Sequence, residues 1–134
     1  MIKRIMLLWL SKAAEQDEKP GVQFLLGNCY HHGHGVPEDT AKALAWYRKA
    51  AEQGYCPAQR ALGGMYYRGE SVPTDYVQCY AWISLAAAQG EEESRKAKNA
   101  LTSVMTTEQI AEAQKLSGEY WDLYGSWQPD HSYK

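Results

Sequence analysis

The sequence predicts an all-α solenoid, in which short helices pair and the pairs stack along one direction. Two observations carry this prediction: the chain repeats itself at a spacing of 36 residues, and each unit places apolar residues at helical spacing. Units that recur at such a period bury their apolar faces against their neighbours, as stacked helical arrays do. The identical pairs at this shift are Leu26/Leu62, Gly27/Gly63, Tyr30/Tyr66, Gly33/Gly69, Val36/Val72, Pro37/Pro73, Asp39/Asp75, Ala45/Ala81, Trp46/Trp82, Ala50/Ala86, Ala51/Ala87, Gln53/Gln89 and Gly54/Gly90.

Size and charge narrow the classes of function. With 134 residues the chain is long enough for one domain with a continuous core. A formal net charge of -2 and a pI near 6.1 do not indicate the basic face that nucleic-acid binding usually needs. Ten tyrosines and five tryptophans suit helix packing in a repeat, and they also suit interfaces between proteins.

The first element, residues 1–17, is predicted to be a partial repeat helix. Its apolar run at residues 5–10 follows Lys3-Arg4, as in a signal peptide. The run has only six residues, below the usual ~7–15, and Lys12 and Glu15 follow where small residues would precede a cleavage site. The segment from Trp9 also matches the segment from Trp46. A stretch of ~20 apolar residues that could span a membrane is absent from the sequence.

The helix at residues 1–17 has no preceding first helix to cover its apolar face. We expect either that the chain is a fragment of a longer array or that an oligomer buries this face, with the fragment as the favoured explanation, because exposed apolar patches are uncommon in monomers. The residues concerned are Ile2, Ile5, Met6 and Leu8.

The first full unit, residues 20–55, is predicted to begin with a helix over Val22 to Tyr30. Gly27 lies inside this helix, where glycine costs up to ~1 kcal/mol, so we expect a partner helix to approach closely there. The segment Gly33-His34-Gly35 is expected to end the helix with a left-handed cap.

The second helix of that unit is expected to begin just after Val36-Pro37, with Glu38 and Asp39 at the positive end of the helix dipole. Gly54 is expected to end it. One face is predicted to be apolar and to comprise Ala43, Leu44, Trp46, Tyr47, Ala50 and Ala51, and the opposite face is predicted to point outward with Lys42, Arg48, Lys49 and Glu52.

The second full unit, residues 56–91, repeats this pattern, and the chain then diverges. Residues 92–124 are predicted to form a closing helix pair: acids at residues 91–93 suit the start of a helix that runs to about Leu101, and Thr106 with Gln109 forms a capping box for the next. Arrays need such an end because an exposed last unit is insoluble. The tail at 125–134 lacks periodicity and is predicted to be loose.

Three cysteines, Cys29, Cys56 and Cys79, do not recur at the repeat period and do not form a Cys-x-x-Cys pair. We therefore expect reduced thiols in a reducing compartment, which favours the cytoplasm. A periplasmic or secreted location is the alternative if a leader precedes this sequence.

The repeat itself resembles the SEL-one-like repeat, a relative of the tetratricopeptide repeat. Residues 26–54 carry its motif almost in full, from Leu-Gly-x-x-Tyr-x-x-Gly-x-Gly to Trp-Tyr-x-Lys-Ala-Ala-Glu-Gln-Gly. Residues 62–90 carry it with departures, among them Ser71 and Cys79, and residues 9–16 match only its last third. The resemblance implies a right-handed α/α superhelix of antiparallel helix pairs that acts as an adaptor between proteins, often in bacterial signalling or host contact. The three cysteines do not occupy the places that the cysteine-rich branch pairs by disulfides.

By analogy with tetratricopeptide-like arrays, the first helix of each unit lines a concave, partner-binding face. Arginine, histidine and aromatic side chains there would suit a carboxylate or an acidic peptide. The alternative is that these are ordinary solvated positions. The predicted concave residues are Phe24, Asn28, His31, His32, Arg60, Gly64, Tyr67 and Arg68.

Other chemistry has weaker support. His31, His32 and His34 could bind Zn²⁺ adventitiously, but the repeat already dictates their spacing. Gly33-x-Gly35 follows a helix and lacks the Lys-Ser/Thr of a phosphate loop. An activated nucleophile beside a base is not evident in the sequence, so we predict a protein without enzymatic activity, metal or cofactor.

The sequence therefore predicts a protein-interaction module that binds a protein or peptide through its concave face, where the basic side chains would suit an acidic partner. Two alternatives stay open. The chain could be a structural spacer or a self-associating part of a longer array, through its exposed N-terminal helix. It could also bind a small molecule or a cell-wall fragment in a pocket near His31, Tyr67 and Arg68. Neither nucleic-acid binding nor membrane insertion is expected.

Overall fold

The computed structural model describes residues 2–17 and 19–125, which form seven α-helices and a short 3₁₀ turn at Thr102–Val104, without a strand in these ranges. The predicted loose tail lies outside the described residues except for Gly125. The helices are α1 (Ile2–Asp17), α2 (Pro20–His32), α3 (Thr40–Glu52), α4 (Cys56–Arg68), α5 (Tyr76–Ala88), α6 (Glu92–Leu101) and α7 (Thr107–Tyr124).

The helices pack in the order of the sequence. The two most extensive contacts join α2 to α3 and α4 to α5, which are the two helices of each full repeat. The contact between α3 and α4 joins one repeat to the next, and α1 packs on α2. The predicted helix pairs and their stacking are therefore confirmed.

The helix ends follow the predicted chemistry with one correction. Gly33 and Gly69 end α2 and α4 in the left-handed conformation, with φ of 69° and 72°. The predicted start of α3 was too early, because Asp39 is its N-cap and not part of its first turn: the Asp39 carboxylate accepts a hydrogen bond of 3.1 Å from the Lys42 backbone N–H. A side-chain oxygen at this position satisfies an N–H that the helix leaves unpaired, so Pro37 precedes the helix.

The closing segment differs from a repeat. The capping box of Thr106 and Gln109 is present, as predicted, and starts α7. However, α6 and α7 each pack mainly against α5 and not against one another, unlike the two helices of a full repeat. The end of the array is thus covered by two helices that both pack on α5, and Leu101 of α6 and Ala113 of α7 share one core cluster with it.

The largest buried side chain in the centre of the stack is Trp82, which is 1% exposed. It packs with Leu62 and Leu85, and the rings of Tyr120 and Tyr124 lie 4.8 and 5.6 Å from its ring. Most of the α5 surface is buried by α4, α6 and α7, which makes this helix the core of the fold.

The outer face of α1 is apolar and exposed. Trp9 is 73% exposed, and Ile2, Ile5, Met6 and Leu8 are exposed with it. Only Leu7 and Ala14 of its apolar residues are buried, against Leu26 and its neighbours. None of the helices described here is both long and apolar enough to cross a membrane.

Candidate functional site

The candidate site is the surface formed by α2, α4 and α6, the first helix of each unit, which we call the first-helix face. The side chains of Arg60 and Arg68 are about half exposed, at 50% and 52%, and Tyr67 is 49% exposed. His32 is exposed too, whereas Phe24, Asn28 and His31 are only partly so. The predicted binding residues thus lie on one set of helices, but they differ in how far they project.

Between α2 and α4 the first-helix face carries a polar network. The hydroxyl of Tyr47, from α3, donates a 2.5 Å hydrogen bond to Oδ1 of Asn28. Nε2 of His31 lies 2.9 Å from Oε2 of Glu70, and Nε of Arg68 donates to the other oxygen of the same carboxylate. Glu70 therefore connects His31 and Arg68, which the sequence analysis proposed separately.

The charges in this network shift two pKa values. The hydrogen bond from Arg68 lowers the pKa of Glu70 below its usual range, and His31 adds to the effect. Burial raises the pKa of Tyr47 to about 12, and the negative charge of Glu70 contributes. At neutral pH the network therefore holds a carboxylate beside a neutral phenol.

Phe24 supports this surface from below. Its ring lies 5.5 Å from the Tyr47 ring and 5.7 Å from the Tyr55 ring, and it packs against two of the core clusters. A half-buried ring with these contacts positions the surrounding side chains more than it offers a contact surface of its own.

The predicted basic character of the face is reduced by acids that the sequence analysis missed. Nη1 of Arg60 lies 3.4 Å from Oε1 of Glu91, and Arg68 is paired with Glu70 as described above. Both acids lie just outside the helices, after α4 and before α6, where the repeat pattern does not identify a partner. Half-exposed ion pairs of this kind contribute only about 0–1 kcal/mol, so a stronger acceptor could displace them.

Between α4 and α6 the first-helix face is apolar and contains a cavity of about 300 Å³. It opens to solvent beside Tyr67 and Val104, which are 49% and 55% exposed. Cys79 and Ile83 of α5 form its floor, where α4 and α6 both pack. The lining residues are Gly64, Tyr67, Cys79, Ile83, Ala97, Ala100, Leu101 and Val104. The sequence placed Gly64 and Tyr67 on this face and left open a pocket near His31, Tyr67 and Arg68. The cavity shares Tyr67 with that pocket but lies between α4 and α6.

The three histidines at the end of α2 lie side by side. The ring centroids of His31 and His32 are 4.7 Å apart, and those of His32 and His34 are 5.7 Å apart. Within residues 2–17 and 19–125 no cluster of three or more histidine, cysteine, aspartate or glutamate residues has the arrangement of a metal site. Among the described residues, Glu70 forms an ion-pair contact with one of these rings, that of His31.

The three cysteines are free thiols, as predicted. Burial raises the pKa of both Cys56 and Cys79 to about 12, and for Cys56 the hydrogen bond to Glu91 adds to the shift. Burial also raises the pKa of Cys29. Thiols with raised pKa values are poor nucleophiles at neutral pH. The cytoplasmic location that the cysteines suggested stays a prediction.

The sequence model of the Sel1 repeat matches residues 7–18, 20–55 and 56–91. This chain belongs to the Sel1 repeat family. The two complete matches coincide with the two predicted repeats, and the short one begins at Leu7 in α1. Sel1 repeats serve in general as scaffolds for protein interactions and are generally not catalytic.

Two solved structures of Sel1-type proteins are similar to this chain. One is c5321, a protective antigen present in uropathogenic Escherichia coli strains that displays an SLR fold: 36% identity, a TM-score of 0.87, and coverage of 91% of this chain and 26% of that one. The other is a Sel1 repeat protein from Oxalobacter formigenes, with 39% identity, a TM-score of 0.70 and coverage of 74% and 29%. The predicted right-handed α/α superhelix is thereby confirmed.

The chain spans about a quarter of the length of the first of these Sel1 proteins and 29% of the second. No curated protein matches the sequence. The similarity therefore establishes the fold and the repeat family, and the partner of this chain has to be inferred from its own surface.

Proposed function

We propose that this protein is a non-enzymatic adaptor that binds a partner protein or peptide through the first-helix face, on the concave side of the superhelix. The observation that carries the proposal is the open apolar cavity beside two half-exposed residues, Tyr67 and Arg68. Aromatic and arginine side chains around an apolar pocket are the residue types that contribute most of the binding energy in protein interfaces.

An adaptor without catalysis fits the chemistry of the described side chains. Burial raises the pKa values of Cys56 and Cys79 and so suppresses their nucleophilicity, and His31 is already paired with Glu70. Catalysis needs an activated nucleophile, a base and an orienting group that converge on one position, and these protonated thiols do not supply the nucleophile.

Self-association is a second candidate function, and a different surface favours it. The exposed side of α1 carries five large apolar side chains that are each more than half exposed: Ile2, Ile5, Met6, Leu8 and Trp9. Contiguous apolar surface of this kind marks contact sites. In this alternative α1 packs against another copy or another repeat, and the first-helix face has no partner of its own.

Paired baits test the adaptor function. We expect wild-type protein to capture a partner from a bacterial lysate and Arg60→Glu/Arg68→Glu protein to lose it, because the charge of the first-helix face is reversed. The matched control is Lys12→Glu/Lys115→Glu, which changes the net charge equally on exposed positions of α1 and α7. Circular dichroism melting verifies that all three baits are folded.

The outcomes separate the candidates. Loss of capture only in the arginine variant supports the first-helix face. Equal capture by both variants contradicts it and assigns the contact to another surface. If capture is lost in an Ile5→Lys/Trp9→Lys variant while the arginine variant is unaffected, self-association or end-to-end contact through α1 replaces the proposal.

A further inference from the structure

The cavity lies between α4 and α6. One repeat earlier, the equivalent space between α2 and α4 is filled by side chains. At the shift of 36 residues, Ile83 corresponds to Tyr47 and Gly64 corresponds to Asn28. In the first unit the Tyr47 ring is 2% exposed, and its hydroxyl bonds to Asn28, so the ring and the amide occupy the space between the first helices.

In the second unit both filling groups are missing. The aromatic ring is replaced by the smaller Ile83 side chain and the amide by Gly64, and α6 faces them with Ala97 and Ala100. The backbone arrangement is otherwise repeated, since Tyr47 packs on Gly27 as Ile83 packs on Gly63. The cavity therefore results from particular side-chain choices on a repeated frame and not from loose packing of the fold.

A cation lies at the edge of this cavity. Nη1 and Nη2 of Arg68 are 3.1 and 3.4 Å from the position that a Cβ atom on Gly64 would take, and Gly64 lines the cavity. Glu70 accepts from Nε of this guanidinium. Among the described residues no hydrogen-bond acceptor is found for the two terminal nitrogens of Arg68. The edge of the guanidinium that best matches a carboxylate is therefore available to a ligand.

We propose that the cavity anchors a partner peptide by one large apolar side chain, and that Arg68 binds the carboxylate of an aspartate or glutamate next to that side chain. This inference rests on the proposed adaptor function and specifies the contact. An apolar side chain that enters the cavity removes the exposed surface of Tyr67 and Val104 from water. The adjacent acid provides orientation, because the guanidinium lies on one side of the cavity only.

The volume is consistent with this occupant. About 300 Å³ is at the lower end of the range of small-molecule sites, which is ~300–1,000 Å³. The lining atoms are overwhelmingly apolar, and the nearest identified charge is at the rim, so a polar small molecule would lose its hydrogen bonds inside the cavity. An aliphatic or aromatic side chain with a charged neighbour outside matches both properties.

The test is a selection from a random peptide library on the full chain, followed by affinity measurements by calorimetry. We expect the selected peptides to share a leucine, isoleucine, methionine or phenylalanine next to an aspartate or glutamate. Ala100→Phe, which fills the cavity from an exposed position on α6, should lower the affinity for these peptides by at least about tenfold. Ala111→Phe, an equally exposed alanine on α7, should not.

A second variant fills the cavity from its floor. Ile83→Tyr places in the second unit the ring that Tyr47 places in the first, and because Tyr47 packs on Gly27 as Ile83 packs on Gly63, the same frame accommodates the ring. This variant should lower the affinity for the same peptides as strongly as Ala100→Phe does.

A double-mutant cycle tests the role of Arg68. Replacing the acid of the peptide with its amide should weaken binding to the wild type, and Arg68→Gln should weaken the acidic peptide by a similar factor. The two changes together should reduce the affinity no more than either change does alone. Additive losses would remove Arg68 from the proposal.

The remaining outcomes overturn the inference. Selected peptides without a common apolar residue, an absence of binding peptides, or affinities unchanged by both cavity-filling variants each contradict it. If the partner captured in the paired-bait experiment still binds the cavity-filling variants while Arg60→Glu/Arg68→Glu loses it, the adaptor function stands and the cavity is not its anchor.

Discussion

The side chain of Ile83 packs directly against the backbone of Gly63. A Cβ atom on Gly63 would lie 2.6 Å from Cγ1 of Ile83 and 3.3 Å from the carbonyl oxygen of Cys79. One repeat earlier, a Cβ atom on Gly27 would lie 2.7 Å from the ring of Tyr47. The helices of each repeat therefore cross so closely that only glycine fits, which explains why both first helices tolerate it.

Gly63→Ala should destabilise the protein by about 1–3 kcal/mol, because the added methyl group overpacks the crossing of α4 and α5. The control is Gly118→Ala in α7, where nothing lies within 4 Å of the new Cβ atom. That change should stabilise the protein by up to about 1 kcal/mol through helix propensity. Urea denaturation of both variants measures the difference. Equal stability of Gly63→Ala and wild type would show that the crossing relaxes freely.

A buried glutamine joins three parts of the stack. Nε2 of Gln59 donates to the carbonyl oxygens of Ala51 and Tyr124 at 3.1 and 3.2 Å, and Oε1 accepts from Gln89 at 2.9 Å. The side chain is fully buried. It therefore ties α4 to α3, to the end of α5 and to the end of α7.

Gln59→Leu should lower the free energy of unfolding by about 1–3 kcal/mol, because it removes the side-chain donor to the Tyr124 carbonyl oxygen and an acceptor of the Gln89 amide while the volume changes little. Gln114→Leu, at an exposed position of α7, is the matched control and should change stability by less than about 0.5 kcal/mol. Thermal melting of the two variants tests this prediction. A Gln59→Leu protein as stable as the control would mean that water satisfies the Tyr124 carbonyl and the Gln89 amide.

Stability should fall at alkaline pH because of Cys79. Burial raises the pKa of its thiol to about 12 in the folded chain, against about 8.5 in an unfolded one. Below pH 8.5 both states keep the proton. Above it, the unfolded chain releases the proton while the folded chain holds it, so the free energy of unfolding decreases between about pH 8.5 and 12.

Urea denaturation at pH 8, 9 and 10 under reducing conditions measures this slope. Cys79→Ala should have a shallower dependence on pH than wild type, whatever its absolute stability. Cys56 and Tyr47, whose pKa values are also raised to about 12, contribute to the part that remains, as does Cys29, whose pKa burial raises too. Identical slopes in the two proteins would show that the Cys79 thiolate is tolerated in the fold.

Much of the architecture was predictable because it is repeated. The 36-residue period located both helix pairs, and Gly27, Gly33 and the Thr106 capping box were assigned their correct structural roles. The start of α3 was misplaced because Asp39 can act either as a cap or as a first-turn residue, and only the Lys42 backbone contact decides between them.

The detail of the first-helix face was less predictable, because it depends on departures from the repeat. Glu70 replaces His34 at the 36-residue shift, so the partner of His31 and Arg68 has no counterpart in the first unit. Arg48, predicted to point outward, donates a hydrogen bond to the Tyr66 hydroxyl of the next helix pair. The cavity results from two differences between the units, Ile83 in place of Tyr47 and Gly64 in place of Asn28. A comparison of the two units in the sequence contains this signal.

The most direct test of the central claim, that the first-helix face is the binding surface, is site-specific photo-crosslinking. Benzoylphenylalanine is placed at His32 or Tyr67 on that face, and at Ala41 or Glu112 on exposed positions of α3 and α7. Each protein is irradiated with the partner that wild-type bait captures, and the adducts are identified by mass spectrometry. We predict adducts from positions 32 and 67 and none from positions 41 and 112. Adducts from 41 or 112, with none from 32 or 67, would contradict the claim and assign the contact to the second helices.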